Sequence, residues 1–302
     1  MLSNDKITNI FCLADDFCKI FNSSIRKSLL PEETTLNKRN RKFKMSDSEV
    51  MTILILFHLS GYRCLKHFYL YYVCVHLKNY FPNTVSYNRF TELQQKVILP
   101  LSIFLKEVLT KECTGITFVD STPLRVCKNQ RIHNHKTFKG LAERGHSSMG
   151  WFYGFKLHLI CNDKGELLNF VFTKANVDDR KPLEYENFMK GVKGKLFGDK
   201  GYISMDLFNK LFVDGIQLIT KIKNNMKNCL MTMSDKILLR KRAIIETIND
   251  ELKNMCQIEH SRHRSFGGFF TNLIAGLSAY CFFPKKPSLK IKLERSNQLT
   301  LC

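Results

Sequence analysis

The sequence predicts a mixed α/β sheet domain preceded by an all-helical one, and three observations carry that expectation. Apolar residues recur at helical spacing through residues 1–110. From Gly115 onward, short β-branched and aromatic runs alternate with helical segments, the pattern of parallel strands joined by crossovers. Two of those runs flank Asn162-Asp-Lys-Gly165, a hairpin turn, so an antiparallel pair joins the sheet. At 302 residues the chain has room for two domains, and it contains no internal repeat.

Taken in order, residues 1–30 place Ile7, Ile10, Phe11, Ala14, Phe17, Ile20 and Phe21 on one helical stripe that breaks at Pro31. Residues 38–44, KRNRKFK, carry five basic side chains in seven and form a basic connector. It serves either as a solubilising loop or as a phosphate-contacting segment. Ser46 and Glu49 match a capping box, and the helix they start shows Val50, Ile53, Leu54 and Phe57 on one face before stopping at Ser60-Gly61. A second helix spans 66–79, and a third begins near Ser86 and is interrupted at Pro100. Gly115–Asp120 is then a short strand, 155–161 and 167–173 are the hairpin, and Asp179 caps a helix over 180–190. Lys195–Gly198 is a strand ending at Asp199, followed by a helix over 204–213 and a strand over 215–220. Residues 226–236 read as a polar linker, and a helix runs from Leu239 to Lys253.

Charge bounds the partners. Against 27 Asp+Glu stand 47 Lys+Arg, a net charge of +20, which makes a polyanion the expected partner. Nucleic acid is the commonest one, with ribosomal attachment or anionic lipid as alternatives. The 11 cysteines are scattered and never spaced CxxC, which excludes a zinc framework or a disulfide scaffold and suits a reducing cytoplasm. No signal peptide is expected, because Lys6, Asp15 and Asp16 interrupt the opening apolar pattern. The most apolar stretches, 51–59 and 68–77, are too short to span a bilayer, so no membrane partner is expected.

The chemistry concentrates in three acids. With Glu246 at 0° on a helical wheel, Arg242 falls at about −40° and Lys253 at about −20°, while Ile244, Ile248, Leu252 and Met255 occupy the opposite side. Taken alone, such a helix is most simply a surface helix with a solvated charge stripe. Asp120 and Asp199, however, each end a short apolar strand, where open α/β sheets bind ligands. Two strand-end carboxylates and a helical Glu make an oxygen-only site for two Mg²⁺ or Mn²⁺ ions, the equipment for in-line displacement at phosphorus.

These pieces resemble the DDE transposases of bacterial insertion sequences. The match runs through Val119-Asp120-Ser121-Thr122, Gly198-Asp199-Lys200-Gly201-Tyr202, and the Tyr-x2-Arg-x3-Glu-x6-Lys pattern as Leu239, Arg242, Glu246 and Lys253, with Leu239 in place of Tyr. It extends through Trp151–His158, Asn176–Arg180 and Glu259–Arg264, and is similar to the insertion-sequence family catalogued as nine-eighty-two. The resemblance implies a ribonuclease H-like catalytic domain over 111–287, after a helical DNA-end-binding domain over 1–110 and before a basic tail over 288–302. It implies that Asp120, Asp199 and Glu246 hold the two metal ions, that Arg242 and Lys253 grip phosphates beside the scissile bond, and that Lys200 and Tyr202 touch the DNA end. The implied protein binds terminal inverted repeats, cleaves and joins DNA strands, and acts as a homodimer or larger assembly in the cytoplasm. A nuclease of the same fold, or a DNA-binding protein without catalysis, is the competing expectation.

Other groups compete for these roles. Asp178 and Asp179 precede a helix and read as caps. Asp250 is the rival for the third acid. His133, His135, His146 and Cys127 invite a zinc site, but they lie in the basic run 125–139, where Arg125 and Arg131, with Lys128 and Lys136, fit DNA contact better.

Overall fold

A computed structural model describes residues 2–28, 44–221, 230–259, 263–289 and 299–301. The chain divides into two compact units: Met1–Leu109 with Asn254–Ile258 and His263–Phe282, and Thr110–Lys253 with Glu259–Arg262 and Phe283–Cys302.

The first unit is helical. Its opening helix α1 (Asn4–Ser28) buries Ile7, Ile10 and Ala14 as the spacing predicts, but Ile20 is 67% exposed and Cys18 takes the inward position. Cys18 continues the i, i+3, i+4 stripe of those three residues; Ile20 falls well off it. The capping box of α2 (Asp47–Leu59) forms, with the Ser46 N–H donating to Glu49 at 2.6 Å and the Glu49 N–H donating to the Ser46 hydroxyl at 3.1 Å. Every residue from Val50 to His58 is buried, so α2 is a central helix rather than the one-faced helix its spacing predicts. Leu65–His76 is one helical rod, α3 (Leu65–His67) and α4 (Cys74–His76) flanking a π-helical stretch Phe68–Val73. Ser86 caps α5 (Tyr87–Lys96), and α6 (Ile98–Phe104) follows. The break between them lies at Val97, because Pro100 sits in the first turn of α6, where its missing N–H costs nothing.

In the second unit, six strands form one mixed sheet: β1 (Ile116–Cys127), β2 (Glu143–Ser147), β3 (Gly150–Asn162), β4 (Leu167–Lys174), β5 (Gly194–Gly198) and β6 (Ile216–Thr220). The order is β2-β3-β1-β5-β6, with β4 also pairing β3. Pairing of β3 with β1, β2 and β4 is antiparallel; β1 with β5 and β5 with β6 are parallel. The expected mixed α/β sheet is therefore present. Two of its features differ from expectation: β1 continues past Asp120 to Cys127, and β2 is an additional edge strand whose polar sequence, ERGHS, carries no apolar alternation. The helix expected over 180–190 is a 3₁₀ turn (Lys181–Glu184) followed by α7 (Glu186–Met189), with extended Tyr185 between them. Downstream lie α8 (Met205–Val213), the short strand β7 (Leu230–Thr232), α9 (Met233–Arg240) and α10 (Ala243–Asn254). The linker expected over 226–236 thus contains β7 and the start of α9.

The next helix, α11 (Phe266–Cys281), belongs to the first unit, although the sequence placed it within the 111–287 domain. All its residues from Thr271 to Tyr280 are buried, and it packs on α2, α5 and α6. A helix apolar on every side needs other helices around it. Last comes β8 (Leu299–Leu301), antiparallel to β7. Residues 38–43 of the basic connector, 222–229 and most of the 288–302 tail lie outside the described residues. Among the described residues no helix is long and apolar enough to cross a membrane.

One face of the sheet carries Val119, Ile160 and Leu196 against Leu183, Phe188, Leu207 and Leu211, a continuous core under α7 and α8. The opposite face is marked by the stacked rings of Phe118 and Phe197, 5.5 Å apart. Between β1 and β3, Gly154 permits close backbone approach: a Cβ there would stand 2.0 Å from the Leu124 carbonyl oxygen. Gly154→Ala is expected to destabilise the protein by about 3 kcal/mol or more, because backbone on both strands would have to shift. Denaturant unfolding of the variant measures this, and an unchanged midpoint would contradict it.

Candidate active site

Strand register brings the first two acids together. Ile116, Thr117 and Phe118 pair with Lys195, Leu196 and Phe197, and the same offset carried two residues on sets Asp120 level with Asp199. Both then lie on the face of the Phe118–Phe197 stack. Asp199 follows the last residue of β5, is exposed, and begins the 3₁₀ turn Lys200–Tyr202. Asp120 does not end its strand as the sequence predicted. Only its parallel neighbour stops there; β3 goes on pairing through Cys127, so the carboxylate projects from the middle of a continuous strand.

The third acid arrives from a broken helix. Instead of one helix from Leu239 to Lys253, α9 ends at Arg240 and α10 begins at Ala243, joined by a turn in which Ile244 donates to the Lys241 carbonyl at 3.1 Å and Ile245 to that of Arg242 at 3.0 Å. Leu239, standing where the resembled pattern has Tyr, is buried in α9. α10 buries Ile244, Ile245, Ile248, Asn249 and Leu252, whereas Met255, expected on that face, lies beyond the helix and is 53% exposed. Arg242, with a side chain only 15% exposed, bridges two of the acids: one terminal nitrogen is 3.7 Å from Asp120 Oδ1 and the other hydrogen-bonds Glu246 Oε1. Asn249 adds a second bond to Asp120, its Nδ2 donating to Oδ2 at 3.1 Å. Burial pushes the Asp120 carboxyl up to about 6 against the opposing pull of Arg242, and the charges of Glu246 and Asp199 push it the same way as burial.

The remaining expected residues have other surroundings. Tyr202, expected at the DNA end, is a core residue, 2% exposed. Its ring tucks beside Gly198, where a Cβ would meet it at 3.1 Å, and burial holds its phenol well above the usual range. Lys200 is partly exposed beside Asp199. Lys253 pairs with Glu259 at 3.4 Å, and Glu259 also accepts the Arg125 N–H at 3.0 Å. Arg125 and Arg131 are exposed. Asp179 does not cap a helix; it binds Lys156 Nζ at 2.9 Å, and Asp178 accepts from Arg180 N–H at 2.9 Å. His158, fully buried, is pushed down to about 4 by burial and meets the Thr173 hydroxyl at 2.9 Å. Lys156 and His158 pair with Pro123 and Ser121, so this polar layer lies on the face of β3 opposite the acids. Among the histidines weighed for zinc, His146 packs edge-on to Trp151 and His135 against Phe138.

The sequence did not single out Asn249. Its signal is a polar residue on the buried side of α10, three positions after Glu246, which helical propensity alone does not distinguish from a surface residue. Among the described residues its Oδ1, beside Asp120, is buried without a hydrogen-bond partner. An orphaned oxygen beside a buried carboxylate, with two further acids nearby, is a donor set suited to a hard divalent cation. Among the described residues, no three His, Cys, Asp or Glu side chains converge as a metal-binding group. Arg242, between Asp120 and Glu246, instead supplies the positive charge.

Residues 110–266, more than half of the chain, match a family of transposases. The chain belongs to that family, described as "Transposase DDE domain". None of the curated proteins is significantly similar to it. Among solved structures, the piggyBac transposase synaptic complex with hairpin DNA is similar at a TM-score of 0.47 and 12% identity, covering 93% of this chain and 71% of that one.

The buried carboxylate gives a stability prediction. Folded Asp120 keeps its proton up to about pH 6, whereas the unfolded chain releases it near 3.8, so stability falls as pH rises through that window and the penalty persists above it. In chelator, Asp120→Asn is expected to stabilise the protein by about 1–2 kcal/mol at pH 7.5 and by nothing below pH 4. Denaturant unfolding at the two pH values checks it; a less stable variant at pH 7.5 would contradict it.

Proposed function

We propose that this chain is the transposase of a bacterial insertion sequence, similar to the family catalogued as nine-eighty-two. In this reading it binds the element's terminal inverted repeats, cleaves the DNA strands and joins the freed 3′ ends to a target. The observation that carries the reading is the juxtaposition of Asp120 and Asp199 by register, with Arg242 linking Asp120 to Glu246. The antiparallel set β4-β3-β1 continued by the parallel set β1-β5-β6 supports a ribonuclease H-like sheet under those acids.

Asp120, Asp199 and Glu246, with the Asn249 oxygen, would hold two Mg²⁺ or Mn²⁺ ions. Such ions activate the attacking oxygen and stabilise the leaving one during displacement at phosphorus. The chain's own contribution is positioning. Arg242 offsets the acids' mutual repulsion and presents a cation beside the scissile phosphate, and Lys200 and exposed Lys241 add positive charge at its flanks. The net charge of +20 supports DNA as partner. The helical unit is the candidate reader of the element ends, and because α11 and residues 254–258 complete it, that unit is not contained in residues 1–110. A homodimer or larger assembly follows from the need to join two ends, and the scattered cysteines support the cytoplasm as its compartment.

The test uses the full chain and oligonucleotides carrying the inverted repeats that flank its coding region. Asp120→Ala, Asp199→Ala and Glu246→Ala are each expected to abolish cleavage in Mg²⁺ or Mn²⁺ while DNA binding persists, since Lys and Arg supply the affinity. Asp250→Ala is expected to cleave normally. Wild-type cleavage by Glu246→Ala would overturn the site, cleavage without joining would reduce the protein to a nuclease, and equal affinity for scrambled ends would remove end recognition.

A further inference from the structure

Beyond Asp120, β1 leads to a second site within the same unit. A cavity of about 440 Å³ is lined by Arg125, Lys128, Asn129, Gln130, Trp151 and Glu259, among others. Trp151, the single tryptophan of the chain, is 66% exposed. His146 packs edge-on to its ring at 5.3 Å, and Asn129 Nδ2 donates to its backbone carbonyl at 2.9 Å. Glu259 is held from both sides, one oxygen accepting the Arg125 N–H and the other paired with Lys253. Its charge is compensated while it remains an acceptor on the cavity wall. The register shift between Arg125 and Cys127 re-aims β1 at this point, and Arg125 and Lys128 stay exposed.

An open aromatic plate, a fixed acceptor and two exposed cations match the parts of a nucleotide. The base stacks on indole, an exocyclic amine meets the carboxylate, and the flanking phosphates meet Arg125 and Lys128. Paired bases in a duplex do not offer their faces, so the base must be unpaired. Five residues of strand separate Asp120 from Arg125, about 17 Å, which is about five nucleotide rises. We propose that this cavity binds an unpaired nucleobase of the DNA strand whose scissile phosphate lies at the acids. This rests on the reading of the chain as a DNA-cutting enzyme.

Because Trp151 is the only tryptophan, its emission reports the site directly. The experiment titrates the full chain with end duplexes that are blunt or carry a single-stranded extension, following binding by anisotropy and stacking by fluorescence. Extended DNA is expected to quench Trp151 more than blunt DNA, and a single abasic position near the predicted spacing should restore emission. Trp151→Ala should weaken binding of extended DNA roughly tenfold, and Trp151→Phe, which keeps a ring, should largely restore it. DNA that binds and is cleaved without changing the emission would overturn the proposal and leave the transposase reading standing. Equal quenching by free mononucleotides would overturn it in favour of a small-ligand pocket. Absence of DNA binding altogether would overturn both.

Discussion

The charge on Asp120 is the constraint around which the second unit is arranged. Its strand neighbours Phe118, Val119, Thr122 and Leu124 are buried, so an ionised carboxylate there is costly unless cations or donors surround it. Arg242 and Asn249 supply that compensation, and both come from the α9–α10 region. The turn at Lys241–Arg242 has a physical purpose in this setting. It lets the guanidinium reach Asp120 and Glu246 together while Ile244, Ile245 and Ile248 keep α10 anchored in the core.

The opposite face of the sheet shows how the acids are kept in place. Lys156, bound to Asp179 and to the Val177 carbonyl at 2.9 Å, ties the segment after β4 to β3, and Tyr202 fills the space beside Gly198 directly after the second acid. Tight packing there limits how far the Asp199 turn can shift relative to β1. These residues act on the acids through position. The motifs Trp151–His158 and Asn176–Arg180 supply this framework, whereas Val119–Thr122 and Gly198–Tyr202 deliver the acids.

Much of this was legible in the sequence, for identifiable reasons. The residues leading into Asp120 and Asp199 are β-rich runs, the hairpin has a strong turn signal, and the capping box at Ser46 is local. What local pattern does not encode was missed. The helix break at Lys241 leaves the i, i+4 contact of Arg242 with Glu246 intact, so the spacing looks continuous. Tyr202 looks like a surface residue until Gly198 makes room for its ring. The edge strand Glu143–Ser147 lacks apolar alternation because no core covers it evenly. Asp179 has the sequence context of a cap but finds a stronger partner in Lys156, a tertiary choice. α11 was assigned to the sheet by chain order, while its all-round burial belongs to the helical unit.

The proposal that Asp120, Asp199 and Glu246 together bind a divalent cation is tested most directly by thermal unfolding of the full chain with and without Mn²⁺. Ligand binding to the folded state alone raises its stability. The wild-type midpoint should rise with Mn²⁺, and the rise should disappear in Asp199→Asn and Glu246→Gln while persisting in Asp250→Asn. An equal rise in wild type and in both site variants would contradict the account.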